Sequence, residues 1–138
     1  MQYFKLEEIV DKRTFDQFGI KCWQLFDDTA LTMLDDFREF IGVPVTCNNW
    51  HEGGTFSFRG YRPGWCTVGA PKSPHRKGKG FDVDVQDMTP EEVRQKVLAN
   101  QDNPLLKFIN RIEAKVNWFH FDRFEPPQGK NRIYLFHP

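Results

Sequence analysis

The stretch Ser73-Pro74-His75-Arg76-Lys77-Gly78-Lys79-Gly80-Phe81-Asp82-Val83-Asp84-Val85 decides how this chain is read. Its last part alternates, with Phe81, Val83 and Val85 on one face of a strand and Asp82 and Asp84 on the other. One face suits a core and the other a polar site. His75 lies near the end of a long irregular segment that leads into this strand. Gly78 and Gly80 let the backbone turn and approach a site closely without a Cβ penalty. An imidazole nitrogen and a carboxylate oxygen are both suitable zinc ligands. Two ligands alone make a weak site, so a third has to come from elsewhere in the fold.

Trp118-Phe119-His120-Phe121-Asp122 is the best source of that third ligand. Alternation puts Trp118, His120 and Asp122 on one face, opposite Phe119 and Phe121. A histidine within an aromatic strand needs a polar partner if it is buried. Taken singly, each residue has an ordinary explanation, a hydrogen-bonded core histidine or a surface aspartate. It is the combination that points to a metal, with the fourth position left to water.

Outward from these segments, residues 29–41 read as an amphipathic helix, with Ala30, Leu34, Phe37 and Ile41 at helical spacing and Gly42 as the stop. A weaker helix is expected over 6–17 and a short strand over Val45 to Cys47. Thr89, Pro90 and Glu92 form a capping box for a helix running to about Asn100. A short helix over Pro104 to Asn110 and three late strands follow, near Ile112 to Val116, Trp118 to Phe124 and Arg132 to Phe136. Residues 51–80, rich in Gly, Pro, Arg and Ser, read as a functional surface rather than a connection. Helices first and strands late, with short connections, predict an α+β fold on an antiparallel sheet with N-terminal and crossover helices.

The 138 residues suit one domain, 1–138. Fourteen phenylalanines (Phe 14) predict an aromatic-rich core. Lys and Arg number 19 and so do Asp and Glu, which removes the electrostatic argument for a nucleic-acid binder. No run approaches the roughly 20 apolar residues of a membrane helix. Lys5, Glu7, Glu8, Asp11, Lys12 and Arg13 are incompatible with a signal peptide's apolar segment. The expectation is a monomer, synthesised in the cytoplasm without a signal peptide and not inserted in a membrane. Cys22, Cys47 and Cys66 contain no C-x-x-C pair and read as free thiols.

S-x-H-x-x-G-x-G-x-D at Ser73 to Asp82, followed by W-x-H-x-D at Trp118 to Asp122, resembles the zinc D-Ala-D-Ala carboxypeptidases and related peptidoglycan peptidases. That group includes phage endolysins and the hedgehog-type domain, and its small phage-type members look closest. Gly60-Tyr61-Arg62-Pro63 and Val68-Gly69-Ala70 also look like family segments, so the resemblance spans roughly residues 44–136. It implies a hedgehog-type peptidase fold and Zn2+ held by His75, Asp82 and His120. It makes Arg62 the group that holds a substrate carboxylate or steadies the oxyanion, Ser73 a supporting residue, and Asp122 an orienting partner for a ligand histidine.

One departure from the pattern concerns the general base. Many members carry Glu or Asp three residues before the last histidine, where this chain has Asn117, and an amide cannot accept that proton. Glu113 is the nearest upstream carboxylate and is assigned the role. Simple alternation would place it on the face opposite His120, so a bend or bulge is required. Elsewhere, His51 and His137 have no ligand role, Asp84 faces the site or water, and Lys72, Arg76, Lys77 and Lys79 read as a solvated loop.

The resulting expectation is a zinc metallopeptidase that hydrolyses a peptide bond in bacterial peptidoglycan stem or cross-link peptides. Lacking a signal peptide, it would reach the wall by phage-mediated release or carriage in a virion. The alternative is a non-catalytic binding or structural module that keeps the peptidase fold. A metal nuclease is weakened by the balanced charge.

Overall fold

Gly80–Val85 forms a strand over the range its alternation predicts. The computed structural model describes residues 1–127, 129 and 132–138. In chain order the strands are β1 (Val45–Thr46), β2 (Gly80–Val85), β3 (Arg111–Glu113), β4 (Phe119–Asp122) and β5 (Tyr134–Phe136). They make one five-stranded sheet in the order β1-β2-β4-β3-β5. β1–β2, β2–β4 and β4–β3 are antiparallel, but β3 and β5 pair in parallel. The sheet is therefore mixed, which corrects the antiparallel expectation. After β4 the chain passes beyond β3 before pairing, so β5 enters in β3's direction. Alternation sets the faces of a strand and says nothing about the direction of its neighbour.

One face of the sheet is aromatic. Phe81 pairs with Phe121 and Val83 with Phe119, and all four are 0–1% exposed. Helix α2 (Asp28–Ile41) covers this face. Asp27 caps it by accepting from the Ala30 amide at 2.9 Å, and Gly42 ends it in the left-handed conformation, φ 75°. Its Phe37 ring lies 5.2 Å from that of Phe119 and 4.8 Å from that of Phe121. Fully burying one such ring stabilises the fold by about 1.5–3 kcal/mol. The aromatic core read from composition is this contact. Helix α3 (Pro90–Leu98) crosses between β2 and β3 and carries the predicted capping box, with both Thr89–Glu92 bonds at 3.1 Å.

Several elements are shorter than expected. The helix expected over 6–17 is divided into a 3-10 turn, Leu6–Glu8, and helix α1, Lys12–Phe18, capped by Asp11. A 3-10 helix at Gly19–Leu25 was not anticipated, and Pro104–Asn110 is reduced to a 3-10 turn, Pro104–Leu106. The three thiols are free and buried. Among the described residues, no helix is long and apolar enough to cross a membrane.

Candidate metal centre

The sheet's other face is polar, and its register builds the site. Asp82 on β2 stands directly across from His120 on β4. On β3, Arg111 pairs with Asp122 and Ile112 with Phe121. Continuing that register by one step sets Glu113 level with His120. The two residues lie on adjacent antiparallel strands, so they share a face. This overturns the opposite-face objection, which treated 113–120 as one continuous strand. The chain reverses between β3 and β4, and Lys115 there has φ 61°. Asn117 is exposed in that reversal, away from the cleft.

His75 arrives from outside the sheet, on a 3-10 helix, Pro74–Lys77. Ser73 caps it, its hydroxyl accepting from the His75 amide at 3.1 Å. Gly78 has φ 65°, and a Cβ there would sit 2.2 Å from the Leu25 carbonyl, so only glycine fits this turn. His75, Asp82 and His120 are 3%, 5% and 4% exposed. Their donor atoms lie within 4.8 Å of one another, and Glu113 is not part of that cluster.

The hydrogen bonds define which atoms face inward. His75 Nδ1 lies 2.8 Å from the Gly60 carbonyl, which can only accept, so Nδ1 carries the proton. Nε2 then presents a lone pair to Asp82 Oδ2 at 3.2 Å. Burial lowers the His75 pKa and outweighs the opposing pull of Asp82, so the ring is held neutral. A neutral nitrogen acceptor therefore faces a carboxylate acceptor, and a cation between them reconciles the pair. His120 Nδ1 lies 2.7 Å from Asp82 Oδ1, and Nε2 lies 2.7 Å from Asp122 Oδ2. Burial by itself would lower the His120 pKa, but the bonds to Asp122 and Asp82 prevail and raise it to about 9. Burial would raise the Asp82 pKa, yet the two histidines hold it below the usual carboxylate range.

Around this cluster sits a supporting layer. Asp122 receives a bidentate fork from Arg111, both bonds at 2.9 Å, and the Phe124 amide at 3.0 Å. It thus fixes His120 Nε2 as a donor and turns Nδ1 inward, where a metal would bind in exchange for the proton that Nδ1 shares with Asp82. Arg62 donates to Asp82 at 3.2 Å and to the Phe58 carbonyl at 2.8 Å. Burial lowers its pKa. Glu113 is half-buried at the cleft, and burial raises its pKa. The cleft over these groups has a volume of about 680 Å³.

Of the residues singled out in the sequence, His75, Asp82, His120, Arg62, Ser73 and Glu113 all line this cleft. Asp122 stands behind it, Asp84 pairs with Arg59 at 2.9 Å, and His137 is exposed. His51 packs against Trp50 instead of lining the cleft. Arg76 is not the solvated charge expected of it. Its guanidinium donates to the carbonyls of Pro63 at 2.9 Å, Cys66 at 2.6 Å, Val68 at 3.4 Å and Ala70 at 3.2 Å. It thereby holds the 63–70 arch that walls the cleft. Arg94, 5% exposed, likewise reaches from α3 to the Val116 and Trp118 carbonyls at 3.2 and 3.0 Å, holding the β3–β4 reversal. Only Arg94 left a trace in the sequence, as a cation between Val93 and Val97 on the buried side of α3.

Comparison with protein-family models, with curated proteins and with solved structures finds no match in any of the three. The fold and site by themselves define an α+β domain with a buried His-Asp-His group able to bind a metal ion.

Proposed function

We propose that the chain is a zinc-dependent peptidase acting on bacterial cell-wall peptides. The observation that carries the metal reading is the convergence of His75, Asp82 and His120, buried together with donor atoms within 4.8 Å of one another. Two imidazoles and one carboxylate fit zinc, and three protein ligands are the number found where zinc is catalytic. When bound, zinc supplies a Lewis acid that polarises a scissile carbonyl and acidifies a water molecule. His75, Asp82 and His120 would hold it, with Asp122 occupying His120 Nε2 so that Nδ1 is left to the ion.

Glu113 takes the proton of the attacking water and passes it to the leaving amine. Its place beside His120 on the polar face and its burial-raised pKa support that role. Arg62 steadies Asp82 at 3.2 Å, and the motif resemblance makes it the cation that steadies the developing oxyanion. The cell-wall substrate rests on the motif resemblance at Ser73 to Asp82 and Trp118 to Asp122. A second reading, a non-catalytic module on the same fold, is favoured by Asn117 and by the pairing of Arg111 with Asp122 and of Asp122 with His120 within the protein.

Metal analysis of the purified protein should give about one zinc per chain, and Asp82→Ala should remove it. Metal-free wild-type protein at neutral pH overturns the zinc assignment. Mass spectrometry of peptidoglycan incubated with the protein reads activity and bond position together, and intact muropeptides would leave the module reading. Glu113→Gln should keep the zinc and lower cleavage about 10²- to 10⁴-fold. Full activity in that variant would assign the base elsewhere.

A further inference from the structure

Three arginine–aspartate pairs reach the cleft, and they differ in how they stand to the metal donors. Arg59 pairs with Asp84, which is outside the donor set, and Arg62 pairs with the donor Asp82 itself. Arg111 is one step removed, because its partner Asp122 lies 2.7 Å from Nε2 of the donor His120. The sheet builds this third pair. Arg111 on β3 stands directly across from Asp122 on β4, so the two side chains share the polar face. The guanidinium lies 5.4 Å from the Phe124 ring and 4.1 Å from the Phe136 ring, contacts that favour one place for its fork.

A carboxylate does not hold its own plane. The torsion that turns it has only broad preferences, so a single bond to His120 would leave Asp122 free to swing. Arg111 removes that freedom by bonding both oxygens, Nε to Oδ1 and Nη2 to Oδ2, each at 2.9 Å. The Phe124 amide adds a further bond to Oδ1 at 3.0 Å. Oδ2 is thereby set against the imidazole, and the ring nitrogen that donates to it decides which one is left for an ion. Asp122 is fully buried, so bulk water offers it no equivalent set of donors.

We infer that Arg111 is a positioning residue of the metal centre, whose fork fixes the Asp122 carboxylate and through it aims His120 Nδ1 at the ion. The inference rests on the metal reading and extends it to a residue outside the donor set. The planar fork is what the arrangement requires, and positive charge alone does not supply it.

The test measures zinc affinity by competition with a chromophoric chelator. No substrate is present, so any contact between Arg111 and a bound peptide does not enter. Arg111→Gln should weaken zinc about 10- to 100-fold, the usual effect of losing a partner behind a ligand. Arg111→Lys keeps the charge without the fork and should recover only part of that loss; it also carries the test should the Gln variant fail to fold. In an Asp122→Asn background, Arg111→Gln should cost nothing further. Proton–nitrogen correlation spectra of the imidazoles supply an internal control. The His120 signals should shift in Arg111→Gln, whereas those of His75, whose Nδ1 is held by the Gly60 carbonyl, should stay. Wild-type affinity in Arg111→Lys overturns the inference, as does a full additional loss in the Asp122→Asn background. Equal shifts at both histidines also overturn it, since they report a general disturbance of the fold. Wild-type protein that takes up no zinc removes the metal reading and the inference with it, whereas zinc uptake indifferent to Arg111 removes the inference alone.

Discussion

Gly60 carries two duties that a side chain would break. Its carbonyl receives His75 Nδ1–H at 2.8 Å, and a Cβ on it would sit 2.1 Å from the Ile9 carbonyl. Gly60→Ala must therefore move the segment that sets the His75 tautomer. The expected loss is about 1–3 kcal/mol of stability, the usual cost of forcing extra volume into a packed position. Zinc affinity should fall with it. Denaturant unfolding and competition with a chromophoric chelator read the two effects separately. At this scale the sequence was informative about donors and silent about their acceptors. His75, Asp82 and His120 were legible as a group because metal coordination restricts residue type. The Gly60 carbonyl was not, because every residue has one.

At the scale of elements, the arch over the cleft hangs on one side chain. Arg76→Ala removes the donor to four carbonyls between Pro63 and Ala70. Limited proteolysis should then nick 63–72 rapidly while zinc stays bound, since none of the metal donors lies in the arch. An unchanged digestion pattern would mean the arch holds itself. Elements governed by local chemistry were readable from the sequence, as the Thr89–Glu92 capping box, the Gly42 stop and the alternation of β2 show. Those set by distant partners were not. The parallel pairing of β5 with β3 and the shared face of Glu113 and His120 follow from how strands meet, and periodicity within one strand carries no such information.

For the molecule as a whole, the metal donors tie the sheet to the irregular segment ahead of it. A ligand that binds only the folded state stabilises by RT ln(1 + [L]/Kd), about 2.7 kcal/mol at a hundredfold excess over Kd. For a chain of this size that corresponds to a rise in Tm of roughly 5–15 °C. Thermal melts should show this rise with zinc and its reversal with a chelator, and Asp82→Ala should melt at the same temperature either way. A wild-type melt indifferent to zinc would count against the metal centre.

The strand order has a consequence for the time domain. His75 and Asp82 are brought by one short stretch of chain, whereas His120 lies 38 positions beyond Asp82 on a strand inserted between β2 and β3. Withdrawing β4 from β2 leaves two ligands on one side and one on the other. An ion gripped by two ligands departs far sooner than one gripped by three. Zinc release should then be gated by the parting of β2 from β4, and its rate would serve as a clock for how often the sheet opens.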